Sequence, residues 1–307
     1  MEHEMTRRAL VRAVAAAAAA ALLRPFSALA QSSQLTKPIP SSGERLPVVG
    51  LGSWITFNVG DDPELRAECT AVMRAFFAAG GRMIDSSPMY GSSQAVIGHA
   101  LARLGNHPSL FPADKVWISS GAQGPDQIEE SRARWGVRRF DLLQVHNLLA
   151  WEDHLQTLLA MKREGRVRYV GITTSEGRRH QELEQIMAGH PIDFVQVTYN
   201  ILDREVENRI LPLARERGIA VIANRPFRQG ELIRWIQRHP LPAWAAEVGA
   251  ANWAQLILKF IVSHPAVTCA IPATSKVAHV EENMGAATGT LPDAAMRRRM
   301  AAHVEAL

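Results

Sequence analysis

The sequence predicts an α/β protein built as one (β/α)₈ barrel, the TIM-barrel architecture. Short apolar runs alternate with amphipathic helical stretches from about residue 46 to residue 287, and this alternation predicts βαβ units and a parallel sheet. Eight such pairs in about 250 residues fit a closed barrel in both number and length. The 307 residues are 47% hydrophobic and 21% charged, which is enough apolar material for one large core.

The predicted elements follow one another in regular order along the chain. The strands are the apolar runs Val48–Trp54, Arg82–Asp85, Leu110–Ile118, Asp141–His146, Val167–Thr173, Phe194–Val197, Ala220–Asn224 and Val267–Ile271. The helices lie at 64–79, 94–104, 126–135, 151–164, 178–188, 206–217, 252–263 and 277–287. The alternative is a doubly wound open sheet with a Gly-rich dinucleotide-binding turn after its first strand. Gly50–Trp54 lacks the third glycine of that turn and leads into no helical pattern.

The first thirty residues have the pattern of an export signal. Arg7 and Arg8 form a twin arginine, an alanine-rich run covers 13–23, and small residues precede a cleavage point after Ala30. We therefore expect residues 1–30 to be a twin-arginine signal peptide that sends a bacterial protein to the periplasm through the twin-arginine export machinery. A cytoplasmic alanine-rich helix is the alternative. Residues 31–45 are polar and predict a linker before a barrel domain at 46–307.

Charge and composition argue against several other classes of protein. Residues 1–30 contain four Arg and two Glu, so the net charge is +4 with them and +2 without them, and no basic run with interleaved aromatics predicts nucleic-acid binding. We expect no stable membrane span and no metal site. Cys69 and Cys269 are expected to be small buried side chains, with a periplasmic disulfide as the alternative. Because a closed barrel leaves no free sheet edge, we expect a monomer.

Four polar side chains fall where barrels carry their chemistry, at the carboxyl ends of the strands. Asp85 ends the second predicted strand and His146 ends the fourth. Lys115 lies within the third strand, and Tyr90 follows Asp85 in the next loop. We expect these four side chains to meet at one mouth of the barrel.

The segments around these residues resemble the signatures of the aldo-keto reductases. Residues 84–91 (IDSSPMYG) resemble the family's Asp-then-Tyr-Gly signature, and residues 141–146 (DLLQVH) resemble its fourth-strand motif ending in histidine. The segments 164–172, 196–200 and 271–283 resemble three further motifs in the family's order. The resemblance covers residues 46–287 and implies reduction of an aldehyde or ketone to an alcohol with NADP(H).

Two alignments of the third strand assign different residues to the position of the family's catalytic lysine. The common family pattern puts its lysine after a serine or threonine at the strand end, which would place Gly121 there and leave no catalytic lysine. A variant pattern ending in Thr-Lys-Val-Trp aligns Lys115, with Asp114 in place of the threonine. We prefer the second alignment because it keeps a lysine where the chemistry needs one. Pro112 and Asp114 are unusual residues for a buried strand.

The resemblance implies a role for each member of the catalytic set. Tyr90 is expected to protonate the developing alkoxide, although a free tyrosine titrates near 10. Lys115 would lower the pKa of Tyr90 by its positive charge, and Asp85 would hold the lysine in place. His146 would donate a hydrogen bond to the substrate oxygen and orient the carbonyl group.

The resemblance also implies a binding site for the nicotinamide. Thr173, Thr174 and Gln196 are expected to hold the carboxamide group. The family stacks the nicotinamide ring on an aromatic residue at the end of the seventh strand, where this chain has Asn224. Arg225 and Phe227 are the candidates to cover the ring instead.

The other end of the cofactor is expected to lie near the last barrel helix. Thr274, Ser275 and Lys276 precede a helix start, where backbone N–H groups bind phosphate. Lys276 is expected to take the 2′-phosphate of NADP, and Asn283 to lie near the adenine.

Two tryptophans that follow barrel strands, Trp54 and Trp151, are expected to form walls of a pocket for a small carbonyl substrate. Two other functions remain open at this stage. The protein could be a non-catalytic barrel that binds nicotinamide nucleotides, which the departures at Pro112, Asp114 and Asn224 favour. It could also be a periplasmic ligand-binding barrel.

Overall fold

The computed structural model describes residues 34–105 and 107–307, so the predicted signal peptide lies outside the described residues. Eight parallel strands form one sheet in sequential order. Parallel bridges between Val49 and Ala270 and between Gly52 and Ala273 join the first of these strands to the last and close the sheet. The predicted barrel is therefore confirmed.

The strands of the barrel lie close to the predicted positions. They are β3 (Leu51–Gly52), β4 (Met83–Asp85), β5 (Phe111–Val116), β6 (Phe140–Val145), β7 (Val167–Thr173), β8 (Phe194–Thr198), β9 (Ala220–Asn224) and β10 (Val267–Ala270). The first strand is much shorter than the predicted Val48–Trp54, because the chain enters turns after Gly52. His146 lies one residue beyond its strand and begins a short 3₁₀ turn.

Helices alternate with the barrel strands. They are α1 (Pro63–Ala78), α2 (Ser93–Leu104), α3 (Gly124–Trp135), α4 (Trp151–Arg163), α5 (His180–Gly189), α6 (Ile210–Arg217), α7 (Glu231–Ile236), α8 (Trp253–Ser263), α9 (Val277–Gly285) and α10 (Ala294–Glu305). The one-turn-and-a-half helix α7 was not predicted. It lies in the loop after β9, where apolar Leu232 and Ile236 are buried at i and i+4.

Local chemistry explains where the helices begin and how closely they pack. At the start of α1, the side chain of Asp62 accepts hydrogen bonds of 2.9 Å from the backbone N–H groups of Glu64 and Leu65, and proline occupies the first helical position. Gly98 of α2 faces α3, where an added Cβ would lie 2.0 Å from the carbonyl oxygen of Arg134. Glycine therefore permits the close approach of these two helices.

The segment before the barrel differs from the predicted linker. Strands β1 (Thr36–Pro38) and β2 (Arg45–Pro47) pair as an antiparallel hairpin. Ile39 and Leu46 are fully buried and belong to the same core cluster as the barrel residues Met83, Phe111, Leu142 and Phe194. The hairpin thus covers one end of the barrel interior. The sequence did not predict the hairpin, because Ile39 and Leu46 are isolated apolar residues in a largely polar segment.

Candidate active site

A buried ion pair forms the centre of the candidate site. Lys115 Nζ lies 2.5 Å from Oδ2 of Asp85 and donates a second hydrogen bond, of 2.8 Å, to the carbonyl oxygen of Ser86. The same ammonium lies 5.2 Å from the centre of the Tyr90 ring. Side chains alternate along a strand, and Ala113 of β5 faces the barrel core, so Lys115 points inward with it.

Asp85 is held from several strands. Its Oδ1 atom accepts hydrogen bonds from Gln196 Nε2 at 3.0 Å and from Gln144 Nε2 at 3.3 Å. Neutral donors and one ammonium therefore satisfy both carboxylate oxygens. This arrangement fixes the carboxylate, and through it the position of Lys115.

His146 and Tyr90 complete the group. Ser87 Oγ lies 2.7 Å from Nδ1 of His146, and the rings of Tyr90 and His146 meet edge to face with centres 5.6 Å apart. The hydroxyl oxygen of Ser87 accepts from the backbone N–H of Met89 at 3.2 Å, within the 3₁₀ turn that carries Tyr90. Ser87 thus ties the tyrosine-bearing turn to His146.

The glycine after Tyr90 is required by its backbone conformation. Gly91 has φ 61° and ψ −121°, a combination that favours glycine. An added Cβ would also lie 2.2 Å from Oδ1 of Asn58. The same oxygen accepts a 2.9 Å hydrogen bond from the backbone N–H of Ser92. The Tyr-Gly pair of the sequence is therefore a turn whose shape presents Tyr90 to the site.

Burial and charge set the protonation of these groups. Burial raises the pKa of Tyr90 above its ordinary value; the ammonium of Lys115 opposes this and Asp85 adds to it. Burial disfavours the charged form of Lys115, but the negative charge of Asp85 holds its pKa above the ordinary value. Burial, with a contribution from Lys115, lowers the pKa of His146 well below its ordinary value. At neutral pH the site therefore holds a neutral tyrosine, an ammonium and a neutral imidazole. The pKa of Tyr90 is therefore not lowered as expected, because the effect of burial outweighs that of the Lys115 charge.

Asp85, Tyr90 and His146 line a cavity of about 590 Å³, and Lys115 is buried behind them. Most of the residues predicted from the sequence line it: Trp54, Asp85, Tyr90, His146, Thr173, Gln196, Asn224, Arg225, Thr274 and Asn283. The cavity runs from the catalytic set to the start of α9. Strand ends and the loops that follow them supply its wall, as expected for a barrel of this kind.

Five predicted residues do not line the cavity. Lys115 is fully buried beneath it. Thr174 is also buried, and its hydroxyl group has no hydrogen-bond partner among the described residues. Ser275 and Lys276 are exposed beside the cavity wall at Thr274.

Trp151 differs most from its expected position as a pocket wall. Its indole N–H donates a 2.8 Å hydrogen bond to Glu182 of α5, and its ring packs edge to face on His190 with centres 5.4 Å apart. Trp151 is the first residue of α4, so its side chain follows the helix and packs against the neighbouring helix. Asn147, four residues earlier, lines the cavity instead.

Asn224 is fixed in the cavity wall at the end of β9. Its Nδ2 donates to the carbonyl oxygen of Thr174 at 3.0 Å, and its Oδ1 accepts from Thr198 Oγ1 at 2.8 Å. The next residue, Arg225, pairs with Glu176 at 2.8 Å. Phe227, an aromatic residue of the same loop, also lines the cavity.

Several residues of the site were not predicted from the sequence. Ser87, Gln144 and Asn147 all contact or adjoin the catalytic set, and each lies within two residues of a predicted site residue. Gln144 could have been recognised, because it is the one polar side chain in the run 142–145 and lies two residues before His146.

The described residues contain no group of three His, Cys, Asp or Glu side chains that could hold a metal ion. Cys69 and Cys269 are buried free thiols, so the alternative of a disulfide between them does not hold. Within the part of the chain that the structure describes, no helix is both long and apolar enough to cross a membrane.

Known proteins share this fold and this sequence pattern. The sequence model of the Aldo/keto reductase family matches residues 48–303. The chain is 29% identical over 255 residues to methylglyoxal reductase YeaE of Escherichia coli, covering 80% of this chain and 88% of that protein. It is 26% identical over 244 residues to an NADH-specific methylglyoxal reductase of Escherichia coli, covering 68% of this chain and 72% of that protein.

A solved structure agrees in fold. An aldo-keto reductase from Klebsiella pneumoniae, in complex with NADPH, has a TM-score of 0.74 and 22% identity, covering 89% of this chain and 95% of that chain. The protein is therefore a barrel oxidoreductase that acts on carbonyl compounds. It belongs to the aldo/keto reductase family.

Proposed function

We propose that the protein reduces an aldehyde or ketone to an alcohol with NADPH, and that Tyr90 is the proton donor. One observation carries the proposal: a buried Lys115–Asp85 pair lies beneath the ring of Tyr90, beside a neutral His146, at the floor of a large cavity. Acid–base chemistry at a carbonyl group needs a proton donor, a positive charge that stabilises the conjugate base of this donor, and a group that orients the substrate oxygen.

The cavity fits a nicotinamide dinucleotide in size and in the chemistry of its lining. Its volume of about 590 Å³ is in the range of cofactor sites. Thr173 and Gln196 would bind the carboxamide at one end, and Arg225 and Arg234 supply positive charge for the two phosphates. Asn283 would lie near the adenine at the far end. When bound, the cofactor supplies a hydride to the carbonyl carbon.

Tyr90 would deliver its hydroxyl proton to the oxygen of the substrate. The product of this transfer is a tyrosinate in a buried place, where an unpaired charge is costly. Lys115 stabilises that anion because its ammonium lies close to the ring, and Asp85 keeps the ammonium in place. The pair therefore acts on the state after proton transfer more than on the state before it.

His146 would hydrogen-bond the substrate oxygen as a neutral donor. Ser87 accepts from Met89 N–H, which leaves its hydroxyl hydrogen free to be donated to Nδ1 of His146. The hydrogen of the imidazole then lies on Nε2. The low pKa of His146 keeps it in this neutral form across the physiological range.

We propose NADP(H) rather than NAD(H) because Lys276 and Ser275 are exposed at the start of α9, next to the cavity residue Thr274. An ammonium and helix N–H groups at this place favour a phosphate. One relative is described as NADH-specific, so the preference must be tested directly. Fluorescence titration with NADPH and with NADH should show tighter binding of NADPH, and Lys276→Ala should weaken NADPH binding by about tenfold with little effect on NADH. Equal affinities would refute the preference.

The proton-donor role is tested by Tyr90→Phe. This variant should bind NADPH like the parent protein but lose carbonyl reduction by at least about 100-fold. Methylglyoxal, the substrate named for two relatives, is a suitable first probe together with an aromatic aldehyde. The matched control is Tyr169→Phe, since Tyr169 bonds Ser42 and Glu44 near the hairpin. Full activity of Tyr90→Phe would refute the assignment and leave a binding barrel as the function.

We further propose that residues 1–30 direct a folded monomer to the periplasm. The twin arginine, the apolar run and the small residues before position 31 support this. Replacing Arg7 and Arg8 together by Lys should retain the protein in the cytoplasm of a bacterial host, which cell fractionation would show. Unchanged distribution would argue for the alternative of a cytoplasmic protein.

A further inference from the structure

A second carboxyl group is buried directly behind the Lys115–Asp85 pair. Asp114 precedes Lys115 on β5 and has no solvent exposure. Because side chains alternate along the strand, Asp114 points out of the barrel toward α2 and α3. Its Oδ1 accepts from the backbone N–H of Lys115 at 2.7 Å, and its Oδ2 accepts from Gln94 Nε2 at 2.8 Å. Both donors are neutral.

The first turn of α2 contacts both Asp114 of β5 and Ser86, which follows β4. Gln94 of α2 also donates to Ser131 of α3 at 2.9 Å. Its neighbour Ser93 pairs with the hydroxyl of Ser86 at 2.9 Å, and the carbonyl of Ser86 accepts from Lys115 Nζ. Asp114 and Lys115 are therefore joined through the first turn of α2 as well as through the strand.

We propose that Asp114 is a positioning residue for the reaction, and that its negative charge opposes the positive charge of Lys115 at Tyr90. This inference rests on the proposed role of Tyr90 as the proton donor. Asp114 does not line the cavity, so it acts through the lysine and the tyrosine and not on the substrate.

The charges that face Asp114 give the direction of the effect. The titratable groups around it are Lys115 on its own strand, Asp85 on β4 and Tyr90 in the turn after β4. Burial raises the pKa of Asp114 to about 7, although its hydrogen bonds and Lys115 oppose the rise. Asp114 is therefore ionised above pH 7, and its negative charge raises the pKa of Tyr90. Removal of this charge should ease the formation of tyrosinate.

Asp114→Asn is a suitable variant because the surrounding network can accept an amide. The Oε1 atom of Gln94 is buried and has no hydrogen-bond partner among the described residues. If the Gln94 amide turns over, Oε1 can accept from the introduced amide and from the hydroxyl of Ser131. The shape of the side chain and its two hydrogen bonds are then kept while the charge is lost, and Nε2 of Gln94 takes the unpartnered place of Oε1.

The measurement is an ultraviolet titration of tyrosinate in the full protein, without cofactor or substrate. The chain has three tyrosines, and subtraction of the Tyr90→Phe curve from the parent curve isolates Tyr90. Circular dichroism at each pH limits the comparison to the folded range. At every alkaline pH in that range, a larger fraction of Tyr90 should be ionised in Asp114→Asn, equivalent to a shift of about half a pH unit or more. For the Asp114→Asn variant, the curve to subtract is that of the Asp114→Asn, Tyr90→Phe double variant.

The matched control is Asp193→Asn, because Asp193 is a buried aspartate paired with Lys162 outside the catalytic set. It should leave the Tyr90 curve unchanged. If Asp114→Asn gives the parent curve, or shifts it to higher pH, the inference is overturned. The proposed function is judged separately by the turnover of Tyr90→Phe: loss of turnover there with no shift in Asp114→Asn defeats this inference alone.

Discussion

Lys115 Nζ lies 2.5 Å from Oδ2 of Asp85 in a place where neither side chain reaches solvent. A buried ion pair is a weak source of stability, because the cost of removing both charges from water offsets their attraction. The proposed function gives the pair a different role, because the ammonium also faces the ring of Tyr90.

Breaking the pair should cost both stability and activity, whereas removing both charges should restore only stability. Lys115→Met leaves the Asp85 carboxylate buried and unpaired, and should lower the free energy of unfolding by about 3–5 kcal/mol. Lys115→Met with Asp85→Asn should recover most of that loss in urea denaturation. Carbonyl reduction should stay at least about 100-fold below the parent in both. An active double variant would show that the pair is structural.

The two tryptophans predicted to form the pocket should behave differently. Trp54→Ala should raise KM for an aromatic aldehyde by about tenfold, because Trp54 lines the cavity. Trp151→Ala should lower thermal stability and leave KM nearly unchanged, since its indole bonds Glu182. Each variant is the control for the other. Equal effects on KM would contradict the positions of these side chains.

The stability of the protein should depend on pH through Asp114. Its pKa is raised from an ordinary 3.8 to about 7 in the folded protein. The folded state therefore holds this proton more tightly than the unfolded state. The protonated carboxyl group contributes fully to the free energy of unfolding below about pH 4, and this contribution is lost as the pH rises through about 7. Asp114→Asn removes this pH-dependent contribution, so the free energy of unfolding of the variant relative to the parent should rise by about 2–3 kcal/mol from pH 5 to pH 8. Chemical denaturation at both values measures it, and a constant difference would count against the raised pKa.

The hairpin should contribute to the stability of the barrel. Leu46→Ala removes a fully buried side chain from the cluster inside the barrel, and should lower the free energy of unfolding by about 2–5 kcal/mol. Lys37→Met tests the polar contacts between the hairpin and the barrel by the same measurement. Nζ of Lys37 donates hydrogen bonds of 2.7 Å to the carbonyl oxygens of His264 and Val267. A change below about 0.5 kcal/mol for Leu46→Ala would fit a linker instead.

The order of strands and helices could be read from the sequence because hydrophobic periodicity is a local property. The positions of Asp85, Tyr90 and His146 followed from it, since the carboxyl ends of parallel strands all meet at one mouth of the barrel. The hairpin did not follow, because Ile39 and Leu46 are isolated apolar residues in a polar segment and their burial depends on the barrel beneath them.

The choice between Lys115 and Gly121 needed the tertiary structure. Sequence spacing allowed both alignments, and only the tertiary structure shows that Lys115 on β5 points inward against Asp85 on β4. Trp151 shows the converse, since a residue close to a strand end in sequence points to a neighbouring helix. The sequence by itself determined the barrel and the edge at which the candidate site lies. The tertiary structure decided which side chains meet there, because the direction and depth of a side chain depend on contacts between residues distant in sequence.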